Sequence, residues 1–429
     1  MRILIIGNGG REHAIAWKLE QNSKIEKIYC SKGNASNKML KKTENIELNK
    51  IDEYISFVKE NCIDLTIVGS EELLVKGIVD EFKKNNLKIF GPDKKAAKLE
   101  GSKVFSKEFM KKYGVKTATY ESFYNPEDAI DYLSNLVIDY PIVIKADGLA
   151  AGKGVIIANN LNKAIEAVEE IMIAKKFSEA GNKIVIEEYL DGKEVSVLSF
   201  TDSNLIMPLI SAKDHKKIGI GETGANTGGM GVISPNPYFT DEVEKSFYSD
   251  ILEPTLLGIK EEKMDFEGII FFGVMITDKG VYLLEYNMRL GDPETQAILP
   301  LLKNDLLSLI ELTLDKRLDD NNFKIEWKNM SSCCVVAVSD GYPDEYRKGD
   351  IITGLDNMIK NKTSEIDDRS LIFICGANED ASGNIVTSGG RVLNVVGLGV
   401  NLEQAQKKAY EEIKKINFKG KYFRNDIGN

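Results

Sequence analysis

The chain carries the sequence LLEYNMRLGDPE at residues 283–294, where an apolar run leads into charged and amide side chains. Side chains alternate along a strand, so Glu285 and Asn287 share one face with Cα atoms about 6.7 Å apart, and Arg289 follows if the strand continues. Two oxygen ligands beside a guanidinium suit Mg²⁺ bound to phosphate, because Mg²⁺ takes few protein oxygens and fills its other positions with phosphate and water. A solvated polar strand face is the alternative interpretation.

A glycine-rich stretch, GLAAGKG at residues 148–154, lies upstream between two apolar runs that predict strands. It is not a Walker A loop, because Gly148 and Gly152 are one residue too close and a glycine follows Lys153 where that motif has Ser or Thr. We interpret it as a mobile lid that covers nucleotide phosphates, with a hairpin that binds nothing as the alternative. Lys145 ends the preceding strand and is expected to meet an anion, because an unpaired buried charge is costly.

The first hundred residues alternate apolar runs with amphipathic stretches, which is typical of a doubly wound parallel sheet. The predicted strands are near residues 3–6, 25–30, 65–68 and 88–90, and the predicted helices are near residues 13–20, 51–60 and 74–84. The loop GNGGREH at residues 7–13 fails as a dinucleotide motif, because Glu12 occupies its third glycine position and no ribose-binding acid ends the second strand. It predicts a cradle for one phosphate, with a structural turn and a dinucleotide site as alternatives.

Composition excludes several classes of function. The 56 Lys and Arg residues and 66 Asp and Glu residues give a net charge of −10, which argues against binding to nucleic acid or to an anionic membrane. Only His13 and His215 are present, so a multi-histidine metal site is excluded. The five cysteines form no CxxC pair, and no apolar run approaches the ~20 residues of a membrane helix. We therefore predict a cytoplasmic protein.

The stretch from 213 to 231 is polar and rich in glycine, and it predicts a long functional loop. Together with this loop, the order of the motifs along the chain indicates a protein family. The ATP-grasp fold is resembled by the succession of Lys145, the lid, an acidic hinge with the sequence EEYL at residues 187–190, Glu194 and the Glu-x-Asn pair. More narrowly, the chain is similar to the glycinamide ribonucleotide synthetase family in the blocks GNGGREHA (7–14), LEGSK (99–103), NTGGMG (226–231), EYNMRLGDPE (285–294) and FRNDIG (423–428).

The resemblance implies a mixed α/β and α+β fold in three domains. These are an N-terminal doubly wound sheet that binds substrate (1–100), a central ATP-grasp domain (101–326) with a glycine-rich lid (about 120–192), and a C-terminal α+β domain (327–429). Glu222 stands where the family has aspartate and Ala225 where it has proline, which leaves the detailed shape of the substrate loops open.

The resemblance also implies a reaction. ATP would phosphorylate the carboxylate of glycine, and the amine of 5-phosphoribosylamine would attack the glycyl phosphate. The products would be glycinamide ribonucleotide, ADP and phosphate, in the second step of de novo purine biosynthesis. The implied cofactors are ATP and Mg²⁺, with Mn²⁺ as a substitute. A chain with two histidines suits this chemistry, since phosphoryl transfer depends on charge neutralisation and alignment.

The alternatives are another ATP-grasp carboxylate–amine ligase, a carboxylase of the same architecture, an ATP-sensing regulator and a nicotinamide-dependent oxidoreductase. We expect small-molecule substrates, no nucleic acid or membrane partner, and a monomer or weak homo-oligomer.

Residue roles follow from the resemblance. Those implied for catalysis are Arg289, Lys145 and Lys153. Those implied for ATP are Lys103, Lys145, Gly152, Lys153, Gly154, Glu187, Tyr189, Leu190 and Glu194. The hinge would act through its backbone, and the alternative interpretation of its acidic residues is that they are solvated strand ends. Those implied for Mg²⁺ are Glu285 and Asn287. Those implied for glycine and phosphoribosylamine are Gly9, Gly10, Arg11, Glu12, Glu71, Asp214, Lys216, Thr227, Gly228, Asp292 and Glu294.

Overall fold

The computed structural model describes residues 1–136, 139–150, 154–320, 323–355 and 370–429. Its first hundred residues form a parallel sheet in the order β3-β2-β1-β4-β5, flanked by helices. The strands are β1 (Arg2–Ile6), β2 (Lys27–Ser31), β3 (Thr43–Ile46), β4 (Leu65–Val68) and β5 (Ile89–Phe90). The helices are α1 (Gly10–Leu19), α2 (Ile51–Glu60), α3 (Glu71–Lys76) and α4 (Ile78–Lys84). The predicted doubly wound sheet is confirmed.

Two details of this region differ from the sequence prediction. The single helix expected near 74–84 is two helices, because Gly77 adopts φ 91° and ends α3 before α4 begins. The edge strand β3 was not expected, since its sequence TENI carries no apolar run and its side chains are exposed or half-buried.

The next segment begins with two helices that pack outside the lid and continues with a lid sheet that carries two helices of its own. The first two helices are α5 (Lys94–Gly101) and α6 (Lys103–Tyr113). The lid elements are β6 (Tyr120–Phe123), α7 (Pro126–Asn135), β7 (Ile142–Ala146), β8 (Val155–Ala158), α8 (Leu161–Val168) and β9 (Ile184–Glu188). The antiparallel strands lie in the order β6-β9-β7-β8, and α7 and α8 bury their apolar faces against this sheet, in a core of its own side chains. The lid is therefore a packed unit.

A second antiparallel sheet, in the order β11-β10-β16-β17, faces the lid. The elements of this segment are β10 (Lys193–Thr201), β11 (Ile206–Pro208), β12 (Lys213–Asp214), β13 (Lys217–Gly219), β14 (Thr223–Asn226), β15 (Gly231–Ser234), α9 (Asp241–Phe247), α10 (Glu253–Glu261), β16 (Gly268–Thr277), β17 (Gly280–Asn287), α11 (Glu294–Ile298) and α12 (Leu306–Leu314). The predicted loop at 213–231 was wrong in part, because it contains β12, β13 and β14. These strands are two to four residues long, β12 and β13 are half-buried and β14 is largely exposed, so they lack an apolar signal.

The C-terminal segment completes the molecule. Its elements are β18 (Ser331–Val338), β19 (Leu371–Ile374), β20 (Ala377–Glu379), β21 (Ile385–Thr387), β22 (Arg391–Gly399) and α13 (Leu402–Ile413). Its main sheet has the order β12-β15-β18-β22-β19, so β12 and β15 join it from the region predicted to be the central domain. The domain boundaries themselves stay a prediction.

The first sheet, the central sheet and the C-terminal sheet share one apolar core. Ile5 of β1, Leu198 of β10 and Cys334 of β18 belong to the same buried cluster. Among the described residues, none of the helices has both the length and the apolar character needed to span a bilayer.

Candidate active site

The loop after β1 is fastened by its own charged side chains. The Gly9 N–H donates to Glu12 Oε2 over 2.7 Å, and Arg11 Nε donates to Glu12 Oε1 over 2.5 Å. Arg11 Nη1 also donates to the carbonyl of Leu290 at 3.1 Å. The phosphate cradle expected at Gly9–Glu12 therefore contains an arginine that is already paired with an acid, and it is tied to the segment that follows β17.

Gly10 begins α1 at a point where another part of the molecule comes very close. A Cβ at Gly10 would lie 2.6 Å from side-chain atoms of Gln296, Cys375 and Asn394. These residues belong to α11 and to the C-terminal segment, so a glycine is required for this approach.

Arg289 connects the first sheet to the Glu-x-Asn pair. Its Nη2 donates to Asn287 Oδ1 and pairs with Glu100 Oε1, both at 3.0 Å. Its Nε lies 3.9 Å from Glu71 Oε2 and has no hydrogen-bond partner among the described residues. Glu100 was missed by sequence reasoning, although it precedes Lys103 in the LEGSK block. Burial raises the pKa of the Glu100 carboxyl.

Glu285 on β17 is surrounded by positive charge. Burial alone would raise the pKa of its carboxyl, but the nearby charges outweigh burial and hold that pKa below its ordinary value. The cations responsible are Lys216, Lys103, Lys145 and Arg289. Within the described residues no side chain donates a hydrogen bond to Glu285, so its oxygens are available. An ionised carboxylate with a second oxygen at Asn287 fits the requirements of a Mg²⁺ site that is completed by phosphate and water.

An acidic pocket lies beside this centre. Burial, reinforced by Glu294, raises the pKa of Asp214 well above its ordinary value, and Asp214 Oδ1 is a buried atom that finds no hydrogen-bond partner in the described part of the chain. Burial likewise raises the pKa of Glu294, whose Oε1 accepts a hydrogen bond from Ser196 Oγ at 3.1 Å. Lys216 Nζ lies 2.7 Å from Glu194 Oε2. This pocket can hold a small cationic group.

The NTGG segment borders the same pocket. Thr227 Oγ1 donates to the carbonyl of Lys216 at 2.8 Å. The neighbouring Gly228 is held from the C-terminal segment, where Tyr342 Oη accepts a hydrogen bond from its N–H at 3.0 Å. Arg391 donates to the carbonyl of Gly228 and pairs with Asp292 Oδ2 at 3.2 Å. Arg391 and Tyr342 were missed because neither lies in a motif; only the tertiary structure brings them here.

The hinge acid is not a solvated strand end. Glu187 on β9 is 3% exposed, and its Oε2 lies 2.9 Å from Lys145 Nζ and 3.1 Å from Lys107 Nζ. Lys107 was also missed, although it lies four residues after Lys103 on α6 and so shares a helix face with it. Of the other hinge residues, Tyr189 is exposed and Leu190 is half-buried.

The lid loop is anchored at both of its described ends. Lys103 Nζ donates to the carbonyl of Gly148 at 3.1 Å, and the Ala146 N–H donates to the carbonyl of Gly154 at 2.8 Å. Gly152 and Lys153, both expected to cover ATP, lie outside the described residues.

The C-terminal FRNDIG motif packs against the hairpin of β13 and β14. Arg424 is 1% exposed; its Nη2 pairs with Glu222 Oε1 and Asp426 Oδ2, each at 2.8 Å. Its Nη1 donates to the carbonyl of Lys217 at 2.9 Å. His215 donates from Nδ1 to the Gly231 carbonyl and accepts from the Gly428 N–H at Nε2, each at 3.2 Å. The tail therefore supports the segment that carries Lys216 and Thr227.

These contacts form one continuous site between the lid and the central sheet. The lid residue Lys145 reaches the carbonyl of Leu284 on β17 at 3.3 Å, next to Glu285. Cations converge on one ionised carboxylate, with an acidic pocket on one side and the Gly9–Glu12 loop on the other. This arrangement and the pair of antiparallel sheets define an enzyme of the ATP-grasp class, a class for which ATP and Mg²⁺ are general and whose substrates are small molecules.

Comparison with known proteins gives the family. Models of the phosphoribosylglycinamide synthetase N domain, ATP-grasp (A) domain and C domain match residues 1–100, 101–295 and 332–429. The chain is 57% identical to a phosphoribosylamine–glycine ligase of Fusobacterium nucleatum, with 100% of this chain and 98% of that protein covered. The chain belongs to the phosphoribosylglycinamide synthetase family and is a ligase.

Solved structures agree with this assignment. The crystal structure of a phosphoribosylamine–glycine ligase from Thermotoga maritima superposes with a TM-score of 0.84 at 33% identity, with 100% of each chain covered. The biotin carboxylase domain of a Hydrogenobacter thermophilus 2-oxoglutarate carboxylase, in complex with MgADP and bicarbonate, has a TM-score of 0.72 at 16% identity, with 98% and 91% covered. The second likeness shows the fold alone. The family resemblance and fold class predicted from the motifs are confirmed, and the alternative functions are not favoured.

Proposed function

We propose that this site joins glycine to the amine of 5-phosphoribosylamine with cleavage of ATP to ADP and phosphate, as the second step of de novo purine biosynthesis. The observation that carries the proposal is the ionised Glu285 carboxylate among four cations, set between an acidic pocket and the Gly9–Glu12 loop. A triphosphate and a developing acyl phosphate both need such a concentration of positive charge.

ATP lies between the lid and the central sheet in this proposal. Lys103 and Lys145 contact its phosphates. The backbone around Glu187, Tyr189 and Leu190 contacts the adenine, and Glu194 accepts hydrogen bonds from the ribose hydroxyls. Gly152, Lys153 and Gly154 close over the phosphates and exclude water from the reactive glycyl phosphate.

Glu285 and Asn287 hold Mg²⁺, which supplies charge neutralisation to the phosphates when it is bound; Mn²⁺ would fit the same oxygens. Arg289 orients Asn287 through their hydrogen bond. Its unpartnered Nε is free to donate to the phosphoryl oxygens as charge shifts during transfer.

Glycine binds in the acidic pocket. Asp214 Oδ1, which has no hydrogen-bond partner among the described residues, accepts a hydrogen bond from its ammonium group. The positive charge of that group favours the ionised forms of Asp214 and Glu294, whose pKa values burial otherwise raises. Lys216 and the Thr227–Gly228 turn face its carboxylate, which attacks the γ-phosphoryl group to give glycyl phosphate.

The phosphate and ribose of phosphoribosylamine bind at Gly9, Gly10 and Arg11, with Glu12, Glu71 and Asp292 near the ribose. The amine then attacks the glycyl carbonyl, the amide bond forms and inorganic phosphate leaves. We place this activity in the cytoplasm, with no nucleic-acid or membrane partner, in a monomer or weak homo-oligomer.

The test follows one oxygen atom. Glycine labelled with ¹⁸O in its carboxylate is turned over with ATP, Mg²⁺ and fresh phosphoribosylamine. Glycyl phosphate requires one carboxylate oxygen to leave with the released phosphate, so mass spectrometry should find ¹⁸O in it. Unlabelled phosphate, or equal ADP formation when glycine is omitted, would contradict the proposal.

A further inference from the structure

Lys107 is a buried lysine that none of the proposed ligands touches. It is 2% exposed on α6, and its ammonium lies 2.7 Å from Thr117 Oγ1 and 3.1 Å from Glu187 Oε2. Lys145 Nζ lies 2.9 Å from that same oxygen. One carboxylate oxygen is therefore shared by two ammonium groups.

The two lysines differ in their other contacts. Lys145 extends towards β17, where it reaches the Leu284 carbonyl at 3.3 Å beside Glu285. Lys107 donates instead to Thr117 Oγ1, which itself donates to the Leu283 carbonyl at 2.6 Å. The ammonium of Lys107 is thus held by Glu187 and Thr117, and Lys107 is not among the cations named above that lower the pKa of Glu285.

The charge of this cluster depends on Lys107. Two ammonium groups and one carboxylate leave one net positive charge, whereas Lys145 and Glu187 alone would cancel. In a buried site such a difference acts strongly on a nearby anion, because little water screens it.

We propose that Lys107 is a positioning residue for ATP: it compensates the charge of Glu187, so that Lys145 presents an uncancelled ammonium to the triphosphate. The inference rests on the proposed function, in which Lys145 contacts the ATP phosphates. Nucleotide binding, rather than substrate turnover, is the property that Lys107 controls directly.

The charged groups around Lys107 make the affinity for ATP depend on pH. The groups that face it are Glu187 and Glu188 from β9, Lys145 from β7 and the Tyr120 ring from β6, 5.6 Å away. Burial lowers the pKa of Lys107 to about 8, although Glu187 opposes the shift. ATP favours the protonated form, so ATP affinity should fall as the pH rises through about 8, and binding there should take up a proton.

The experiment is titration calorimetry of the full chain with ATP and Mg²⁺, without glycine or phosphoribosylamine, from about pH 7 to pH 9. Two buffers of different ionisation enthalpy report the proton uptake. The variant is Lys107→Met, and the matched control is Lys111→Met, which removes an exposed lysine from the same helix.

We expect Lys107→Met to weaken ATP binding about tenfold near pH 7 and to lose both the pH dependence and the proton uptake, while Lys111→Met behaves as the unchanged protein. Equal ATP affinity in Lys107→Met, or an unchanged pH profile, would overturn the inference. If the variant does not fold, absence of proton uptake by the unchanged protein near pH 8 overturns it. Failure of the unchanged protein to bind ATP at all would instead refute the proposed function.

Discussion

Glu285 owes its properties to residues that lie far from it in the chain. Its spacing from Asn287 marks it in the sequence as an oxygen ligand on a strand face. Its ionisation, however, depends on Lys103 from α6, Lys145 from the lid and Lys216 from the loop between β12 and β13. No local pattern contains these three together, so the sequence alone predicts a ligand but not its charge state.

The first prediction concerns this carboxylate. Glu285→Gln keeps the shape of the side chain and removes its charge, which leaves the cations unbalanced and removes a metal ligand. We expect turnover to fall by roughly a hundredfold or more and the Mg²⁺ concentration needed for half-maximal rate to rise. Steady-state rates over a Mg²⁺ titration measure both. Glu253→Gln, at an exposed position on α10, is the control; unchanged activity at low Mg²⁺ in Glu285→Gln would sink the ligand assignment.

At the scale of elements, the hairpin of β13 and β14 depends on the C-terminal tail. Its strands are three and four residues long and bury little, so it has no apolar core of its own. Arg424 holds the hairpin in place, because it pairs with Glu222 and donates to the carbonyl of Lys217; it also pairs with Asp426 of the tail. Glu222 reaches Arg424 directly. The tail motif was recognisable in the sequence, whereas its partner was not.

The second prediction concerns the contacts between Arg424 and the hairpin. Arg424→Ala takes away a buried guanidinium and its charged hydrogen bonds to partly exposed acids, which costs about 2 kcal/mol. We expect faster hydrogen exchange at residues 217–226 and a KM for glycine raised roughly tenfold, with the KM for ATP little changed, because Lys216 and Thr227 adjoin the hairpin. Arg424→Lys should restore part of the glycine affinity.

Arg347→Ala is the matched control, since Arg347 makes a half-exposed ion pair with Asp350 in the same segment. Exposed pairs contribute about 0–1 kcal/mol, so its effect should be small. An equal rise in both KM values in Arg424→Ala would mean general destabilisation rather than support of the glycine pocket.

At the scale of the whole molecule, buried polar groups join distant segments. His13 on α1 accepts a hydrogen bond at Nδ1 from the Ile374 N–H of β19 at 2.8 Å, and its ring packs edge-on against Phe373. Asn34 donates to the carbonyls of Asn8 and Ile374. The N-terminal sheet and the C-terminal segment are thereby held together around the Gly9–Glu12 loop.

The third prediction follows from His13. Burial lowers its pKa to about 3 from an ordinary value of 6.5, so the unfolded chain takes up a proton that the folded chain does not. The contribution of neutral His13 to the free energy of unfolding is complete above pH 6.5. It is lost as the pH falls below that value, by up to about 1.4 kcal/mol per pH unit. His13→Asn offers an oxygen to Ile374 without titrating, so its melting temperature should fall less between pH 6.5 and about pH 5. Calorimetric melting measures this, and equal slopes would count against a buried neutral His13.

Much of the fold could be predicted because short stretches of sequence determine these helices and strands. Helix α2 and strands β1 and β4 lie at the predicted positions, since a continuous apolar run or an amphipathic period needs no information from elsewhere. The short strands β12, β13 and β14 could not be predicted, because their pairing partners rather than their composition make them strands.

The sequence by itself determined the fold class and the family, since both depend on motifs whose residues are close together in the chain. Only the tertiary structure decided which groups complete the site. Lys107 on Glu187, Arg391 on Asp292 and Arg424 under the hairpin act across long sequence separations, and burial lowers the pKa of Lys107. Burial and long-range Coulomb interaction are properties of the packed molecule, and no single stretch of sequence contains them.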